Sequence, residues 1–215
     1  QKTLIKTLKH KIILYGSGRT DSGVHAHAQS AHFSTKIKIK NKFVFLNTFN
    51  FFLRKRKISI LKIQLKKQSF HARYSAKKRL YKYVITNRIA PLSLDMNRAW
   101  HIKSALNIEL IKKAAKLLEG TKNFSTFRSS SCGAESPIRT LEKVAVIKRE
   151  SKIFITFKSK SFLQQQVRSM VGCLKFVGEK KWSLKKFKHV MNSQKRINCA
   201  PPAPARGLYL LKVFY

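Results

Sequence analysis

Apolar and polar residues alternate along several segments of the chain, and this pattern predicts β-strands. Strict alternation places one set of side chains on a buried face and the other toward solvent. A short apolar run bounded by turn residues also fits a strand that is buried on both faces. Strands are therefore predicted at 10–15, 24–33, 58–65, 79–86 and 207–215, with a hairpin over 138–160 that turns near Glu150–Lys152.

Four other segments carry apolar residues at the three- and four-residue spacing of an amphipathic helix. Asn107 and Ser183 are suited to N-caps, because their side chains can accept hydrogen bonds from the free N–H groups of a first turn. Gly120 suits the C-terminal cap, where a left-handed residue is common. Helices are therefore predicted at 42–56, 107–120, 162–178 and 183–193.

Hairpins and helices follow one another without a regular βαβ alternation, which favours the α+β class with mainly antiparallel sheet. The length of 215 residues allows one large domain or two small ones. Apolar residues make up 43% of the chain, which is enough for a buried core. We therefore predict a folded α+β protein rather than a disordered polycation.

The net charge is +39, and a field of this size favours a polyanion such as nucleic acid as partner. The lysines are scattered, so part of the excess positive charge also fits a general bias toward lysine.

No apolar run is long enough to span a membrane, and the first residues lack a secretory h-region. The three cysteines, Cys132, Cys173 and Cys199, lie far apart, which fits reduced thiols in a cytosol better than a disulfide scaffold or zinc ribbon.

The stretch YGSGRTDSGVHAHAQSAHF (15–33) contains one acidic residue, Asp21, and the next acid along the chain is Asp95. Asp before Ser-Gly is common in turns, so a purely structural role is open. A P-loop is disfavoured because Val24 stands where lysine is required, and a dinucleotide-binding loop because Asp21 replaces its third glycine. The triplet DSG also occurs in aspartic proteases, but the second carboxylate of that chemistry could come only from Asp95 or a symmetric dimer.

Three histidines follow Asp21 and raise the question of a metal site. His25 and His27 would share one face of a strand, and His32 follows five residues later. No cysteine and no second carboxylate lies near them in the sequence. We therefore predict that these histidines do not bind a metal.

Six segments, in chain order, resemble the TruA-type tRNA pseudouridine synthase family. GSGRTDSGVHA (16–26) is similar to the family signature G-x-G-R-T-D-x-G-V-H-A. The resemblance spans the chain from about residue 12 to its end. Its other segments are SFHARYSAKKRLYKYVI (69–85), LLEGTKNFSTFRSSSC (117–132), SPIRTL (136–141), SFLQQQVRSMVGCLKFVG (161–178) and APARGLYLLKVFY (203–215).

The resemblance implies an isomerase that converts uridine in tRNA to pseudouridine, at positions 38 to 40 of the anticodon stem-loop, with no metal or organic cofactor. It implies a cytoplasmic homodimer that binds tRNA. It also implies two ferredoxin-like α/β subdomains with mainly antiparallel sheets flanking a basic active-site cleft. We assign the N-terminal subdomain to residues 1–75, completed by the closing strand 206–215, and the C-terminal subdomain to 76–205.

Matching the motifs residue by residue, the resemblance assigns catalysis to Asp21, acting either as a nucleophile or as a base at the ribose. Arg19 would occupy the space that the flipped base leaves, and Arg168 would pair with Asp21. Tyr81 would stack on the target base, and Leu208 would line the uracil pocket. Arg19 and Arg168 are the two candidates for the opposite charge that keeps the Asp21 carboxylate ionised. Aromatic stacking replaces part of the stacking that a flipped base loses.

Simpler roles are open for several of these residues. Arg168 could be a solvated charge at the edge of a helix, and Tyr81 or Tyr83 could be a core aromatic of a strand. The basic segments 54–57 and 77–79 are candidates for phosphate contact or for ordinary solvated surface.

Family members usually carry a strand with Y-D-G-x-x-[FY]-x-G-W-Q about 40 residues before the signature, and a chain without it would leave a sheet edge uncovered. This sequence contains no such segment, so we expect a chain that lacks the family's N-terminal part. The alternative prediction is a truncated or inactive family member that acts only as a basic RNA-binding protein. A structural RNA-binding protein, such as a ribosomal one, is favoured by charge alone and predicts no need for an acid at position 21.

Overall fold

The computed structural model of this protein describes all residues, from Gln1 to Tyr215. The chain forms two compact units. Unit 1 comprises residues 1–18 and 30–75, and unit 2 comprises residues 19–29 and 76–215. Each unit is therefore built from two separate stretches of the chain.

No helix has both the length and the apolar character that crossing a membrane requires.

The elements in chain order are α1 (Lys2–Leu8), β1 (Tyr15–Gly16), β2 (His25–Ala26), β3 (Ala31–His32), α2 (Lys42–Leu53), β4 (Lys78–Asn87), β5 (Trp100–Ile102), α3 (Ile108–Leu117), β6 (Gly120–Asn123), β7 (Ile138–Arg149), β8 (Lys152–Ser159), α4 (Gln166–Gly178), α5 (Leu184–Asn192) and β9 (Leu208–Phe214). Short 3₁₀ helices lie at Ser125–Phe127, Arg196–Asn198 and Ala205–Gly207.

The sheet of unit 2 contains seven strands in the order β2-β9-β4-β8-β7-β6, and β5 pairs with β4. Neighbouring strands are antiparallel except for β2 beside β9 and β5 beside β4. Strand β4 is central, because it pairs with both β8 and β9 along most of its length. The mainly antiparallel sheet with helices confirms the predicted α+β class.

One large core holds unit 2 together. Strand β8 alternates as a half-buried strand should, with Ile153, Ile155 and Phe157 fully buried and the residues between them partly exposed. Helices α3, α4 and α5 contribute their apolar faces to the same core. Full burial of one such side chain is worth about 1.5–3 kcal/mol, so this core dominates the stability of the unit. The apolar residues that α4 buries here are Val167, Met170, Val171, Leu174 and Val177.

The predicted caps of two helices in unit 2 are confirmed. The Asn107 side chain accepts a hydrogen bond from the Leu110 N–H at the start of α3. The Ser183 hydroxyl accepts one from the Lys186 N–H at the start of α5. The prediction for Gly120 is wrong: α3 ends at Leu117, and Gly120, with φ +92°, begins β6. A glycine with positive φ serves here as the bend between helix and strand.

Unit 1 is smaller and less regular. Strands β1 and β3 form a two-residue antiparallel pair, and α1 packs against α2. The Asn41 side chain caps α2 by accepting hydrogen bonds from the Phe43 and Val44 N–H groups. The buried core cluster of this unit consists of Leu4, Leu8, Ile12, Phe49 and Leu53.

Several predicted elements differ from the structure. Residues 58–65 form no strand, because no neighbouring strand pairs with them, and Leu61 and Leu65 are exposed. The Asn50 side chain instead holds this segment by bonding both the N–H and the carbonyl of Ile60. The strands predicted at 10–15 and 24–33 shrink to two-residue pairs. Helix α1 and strands β5 and β6 were not predicted, since such short elements have too little periodicity to detect.

The two ferredoxin-like subdomains, at 1–75 with 206–215 and at 76–205, stay a prediction. The compact units group two segments differently, because residues 19–29 and the closing strand both belong to unit 2. The reason is backbone pairing: β9 pairs with β4, and β2 then adds to the edge of β9. Backbone hydrogen bonds between strands therefore decide where the segment carrying Asp21 belongs.

Candidate active site around Asp21

The loop that carries Asp21 is attached to unit 2 at its C-terminal end. The Val24 N–H donates to the Asp21 carbonyl at 3.1 Å, which closes a four-residue turn. Gly23 has φ +81° in this turn, a conformation that L side chains rarely adopt. Val24 packs against the core, and His25 then pairs with Tyr209 of β9. A glycine turn, a core anchor and a strand pair together fix the position of the carboxylate.

Asp21 forms an ion pair with Arg168, the third residue of α4. The Arg168 Nη1 lies 2.6 Å from the Asp21 Oδ2, which is a short, charge-assisted hydrogen bond. The Arg168 side chain is 16% exposed and that of Asp21 is 30% exposed. A pair this sheltered differs from a surface ion pair, because removing one partner leaves the other charge partly desolvated and unpaired. Arg168 is therefore not a solvated charge at a helix edge.

A segment that we call the strap, residues 200–207, orients Arg168. The Arg168 Nε donates to the Ala203 carbonyl at 2.7 Å, and the Ala203 N–H donates to the Arg168 carbonyl at 2.9 Å. The guanidinium thus hydrogen-bonds the strap through Nε and Asp21 through Nη1. This bridging arrangement requires the planar fork of arginine, which lysine does not have.

Two close contacts hold the strap in place. A Cβ built on Gly172 of α4 would lie 2.1 Å from the Pro201 carbonyl oxygen, so only glycine lets the strap cross the helix there. A Cβ on Gly207 would lie 2.5 Å from the ring of Tyr83, which is fully buried. The Tyr83 hydroxyl donates to the Pro204 carbonyl at 2.7 Å. Burial raises the pKa of Tyr83 well above its ordinary value, so this hydroxyl remains a donor.

Tyr81 lies near the charged pair, two residues before Tyr83 on the same face of β4. Its ring meets the ring of Phe162 edge-on, with centroids 5.1 Å apart. Burial raises the pKa of Tyr81; Arg79 opposes that shift, and the Asp21 carboxylate adds to it. The phenol therefore stays protonated at neutral pH and can donate a hydrogen bond.

Leu208 begins β9 opposite Tyr83 and is buried in the core of unit 2. Its backbone follows the strap directly. The structure thus places Asp21, Arg168, Tyr81 and Leu208 in one unit, on elements tied together by the strap and by β9.

Arg19 belongs to the same loop as Asp21 but is not brought to the carboxylate. Its side chain is exposed, and the ion pair of Asp21 goes to Arg168 alone. Of the basic segments, residues 54–57 are exposed in unit 1, and Lys78 pairs with Glu142 at 2.9 Å. Arg79 donates to the Lys160 carbonyl.

Sequence reasoning missed the residues that support the pair. Ala203 acts through its backbone, so its side chain carries no signal. Gly172 lies inside an apolar helix, where a glycine costs about 1 kcal/mol relative to alanine, and that cost was the available hint of a close approach. Phe162 lies in the segment 161–178 that resembles the family, but its place in the sequence does not reveal that its ring meets Tyr81.

The histidines near Asp21 are engaged in aromatic contacts. The ring of His25 stacks on Tyr209 at 4.7 Å, and the ring of His27 lies 5.5 Å from the same tyrosine, so both occupy one face as expected. The His25 Nε2 also bonds the Asn97 carbonyl. No group of three or more His, Cys, Asp or Glu side chains is arranged to hold a metal ion.

Comparison of the sequence with known proteins identifies a family. A model of the tRNA pseudouridine synthase family matches residues 114–215, which include Arg168 and the strap. Over all 215 residues the chain is 56% identical to "tRNA pseudouridine synthase A" of Pelagibacter ubique and covers 87% of that protein. It is 42% identical over 208 residues to the protein of the same name from Neorickettsia sennetsu (97% of this chain, 85% of that one). It is 40% identical over 204 residues to the one from Maricaulis maris (95% and 82%). The chain belongs to the tRNA pseudouridine synthase A family.

Proposed function

We propose that this protein converts uridine in tRNA to pseudouridine and that Asp21 is its catalytic carboxylate. Membership of the family supports the reaction and its tRNA substrate. One observation carries the assignment of the residue: the Asp21 carboxylate is held at 2.6 Å by Arg168 in a partly sheltered position. A structural turn residue would need no such partner, because the turn at Asp21 is closed by backbone groups.

The reaction exchanges one bond to the ribose for another. The C1′–N1 bond of uridine breaks, the uracil turns, and a C1′–C5 bond forms while the C5 hydrogen leaves as a proton and N1 takes up a proton from water. The reaction is an isomerisation, so no atom is gained and no oxidant or reductant is consumed. A carboxylate can serve either by attacking carbon or by removing a proton at the ribose. Asp21 can take either role, because Arg168 binds one carboxylate oxygen, Oδ2.

The neighbouring side chains have distinct roles in this proposal. Arg168 orients the Asp21 carboxylate, and the Ala203 carbonyl fixes Arg168 in turn. Tyr81 offers a protonated phenol and an aromatic face, on which a flipped base can stack for about 1–3 kcal/mol. Leu208 supplies an apolar wall. Arg19, exposed on the same loop, can insert into the RNA and occupy the space that the flipped base leaves.

The finer parts of the proposal rest on the family resemblance of the motifs. The targets are uridines of the anticodon stem-loop, the active form is a homodimer, and neither metal nor organic cofactor takes part. The charge of +39 supports binding of a polyanion, with an affinity that falls steeply as salt rises.

A tritium-release assay tests the reaction and the residue together. With tRNA that carries tritium at uracil C5, each pseudouridine formed releases one tritium to water. We expect release by the wild-type protein and a loss of about 10⁴-fold or more in Asp21→Asn, because the amide can neither attack nor accept the proton. Filter binding should show that Asp21→Asn still binds the tRNA.

The matched control is Asp95→Asn, the same chemical change at the only other aspartate of the chain. Asp95 pairs with Lys152 at a surface position, so its loss should change the rate by about fivefold at most. Binding of tRNA without tritium release by the wild type would favour the non-catalytic RNA-binding alternative. Full release by Asp21→Asn would overturn the assignment of Asp21 while leaving the reaction in place.

A further inference from the structure

Two of the three cysteines meet in unit 2, although 26 residues separate them in the chain. The Cys173 Sγ on α4 lies 3.4 Å from the Cys199 Sγ, which follows the 3₁₀ helix Arg196–Asn198. Cys173 is fully buried and Cys199 is partly exposed. Both are free thiols in the structure. The reaction proposed above uses neither of them.

The surroundings of the two thiols differ in a way that gives them different reactivity. A hydrogen bond from Cys173 lowers the pKa of Cys199, and the nearby Arg196 guanidinium lowers it further. The hydrogen bond with Cys199 raises the pKa of Cys173, and burial raises it further. Arg196 is itself held in place, since it donates to the Ser169 hydroxyl at 2.9 Å. Cys199 is therefore the accessible, more acidic thiol, and Cys173 is the shielded thiol next to it.

We propose that Cys173 and Cys199 form a redox-active dithiol, which hydrogen peroxide converts into a reversible disulfide. Three features on the structure carry this proposal. The two sulfurs lie 3.4 Å apart, Cys199 is partly exposed, and the guanidinium of Arg196, which Ser169 holds in place, stands beside Cys199. This arrangement pairs a reactive cysteine with a resolving cysteine.

The chemistry balances with peroxide as the oxidant. The Cys199 thiolate attacks one peroxide oxygen, the O–O bond breaks, and Cys199 becomes a sulfenic acid while the first water leaves after protonation. The Cys173 sulfur then attacks the sulfenic sulfur, its proton leaves with the hydroxyl as a second water, and the S–S bond forms. Two thiols lose two electrons in total, and one peroxide is reduced to two waters. A dithiol reductant reverses the change by thiol–disulfide exchange.

The bond can form with a small movement. A disulfide needs about 2.05 Å between the sulfurs, so the 3.4 Å gap must close by about 1.4 Å. Cys199 lies in irregular backbone, which can supply that shift more easily than α4 can. The disulfide would join α4 to the residue just before the strap, four residues from the Ala203 carbonyl that binds Arg168. The two cysteines thus lie close to the strap that holds Arg168, but neither cysteine takes part in the hydrogen bonds of Arg168.

Intact mass spectrometry and peptide mapping test the proposal on the whole 215-residue chain. After brief treatment with hydrogen peroxide and blocking of free thiols by iodoacetamide, we expect one thiol, that of Cys132, to be alkylated and two to be protected. The unblocked protein should lose about 2 Da, and a dithiol reductant should restore that mass. A tryptic map should contain a linked peptide pair that joins Cys173 to Cys199.

Three serine variants make the test specific. Cys132→Ser should still form the linked pair, whereas Cys173→Ser and Cys199→Ser should not. Cys173→Ser should accumulate a sulfenic acid at Cys199 that dimedone traps, because its resolving partner is gone. Cys199→Ser should give no dimedone adduct at the buried Cys173.

The proposal is overturned if peroxide oxidises Cys132 while Cys173 and Cys199 remain alkylatable, or if the only disulfide joins two chains through Cys132. These readouts do not depend on tRNA modification. A failure here would therefore leave the proposed reaction untouched, and an inactive enzyme could still show the redox pair.

Discussion

The two compact units of this protein differ in the size of their apolar cores. Unit 2 encloses one large core between a seven-stranded sheet and three helices. The core cluster of unit 1 has five buried apolar side chains, and other apolar side chains of the unit stay open to solvent, with Phe43, Phe51 and Leu65 all more than half exposed. The stretch 19–29, which lies between two segments of unit 1 in the chain, is packed with unit 2. The carboxylate is thus attached to the unit with the larger core, which can hold it in a fixed geometry.

The largest expected effect on stability comes from truncating one buried side chain in the core of each unit. Ile155→Ala should destabilise unit 2 by about 4 kcal/mol, and Leu4→Ala should destabilise unit 1 by about 3 kcal/mol, since both side chains are almost fully buried. Hydrogen exchange should show Leu4→Ala weakening protection in α1 and α2 while β4 and β8 stay protected. Equal loss of protection in β8 would mean that the two units open together, which contradicts the contrast drawn here.

Gly172→Ala tests whether the strap depends on its close approach to α4. Alanine adds about 1 kcal/mol of helix propensity, but its Cβ would lie 2.1 Å from the Pro201 oxygen. The clash should dominate and cost about 3 kcal/mol in the free energy of unfolding, measured by urea denaturation. Tritium release should fall as well, because the displaced strap carries the Ala203 carbonyl away from Arg168.

The matched control for the strap is Gly133→Ala. Nothing lies within 4 Å of the Cβ position at Gly133, and its φ is not in the left-handed region. The control should keep both stability and rate. A stable, active Gly172→Ala protein would show that the strap moves without affecting the site.

Arg168→Lys separates charge from geometry at the ion pair. Lysine keeps the positive charge but cannot bond Ala203 and Asp21 with one planar group. Losing one charge-assisted hydrogen bond, worth about 2 kcal/mol, should lower the rate of tritium release about 30-fold. Arg88→Lys is the comparison, because Arg88 is exposed and bonds only the carbonyls of Ala90 and Pro91 in its own loop. An unchanged rate in Arg168→Lys would mean that charge alone suffices.

The smallest expected effect is a pH dependence confined to unit 1. Burial lowers the pKa of His32 below its ordinary value of 6.5, and the neighbouring His71 adds to the shift. The neutral ring accepts the Ala72 N–H at Nδ1, a role that protonation removes. Between the lowered pKa and 6.5 the unfolded chain binds more protons, so stability rises with pH across this window and falls as the solution becomes more acidic.

The variant His32→Asn should make the stability of unit 1 less dependent on pH. The amide oxygen of asparagine can still accept the Ala72 N–H hydrogen bond, but it does not titrate. Hydrogen exchange of α1 and α2 at pH values above and below 6.5 measures the effect. His189→Asn, an exposed position on α5 of unit 2, serves as the control and should leave the slope of unit 1 unchanged. If the protection of α1 and α2 depends on pH as strongly in His32→Asn as in the wild type, groups other than His32 cause the acid sensitivity.

The long elements of unit 2 could be predicted because their patterns repeat enough times to be read. Strand β4, the hairpin of β7 and β8, and helices α3 to α5 all appear where the periodicity placed them. The segment 58–65 shows the limit of this reasoning. It alternates as a strand should, yet no strand pairs with it, and Asn50 holds it instead. A strand is stabilised by its partner, and alternation within one segment does not reveal whether a partner exists.

Local sequence was enough to predict the class of the fold, the long elements and the single acidic residue, Asp21, between Arg19 and the glycine of its turn. Each of these depends on neighbours within a few residues, where periodicity and turn chemistry act. The family resemblance predicted that Arg168, 147 residues away, pairs with Asp21, but only the folded structure shows that the Ala203 carbonyl orients Arg168 and that Cys173 meets Cys199. Those contacts depend on sheet register and on the path of the strap across Gly172, and no short stretch of sequence encodes either one.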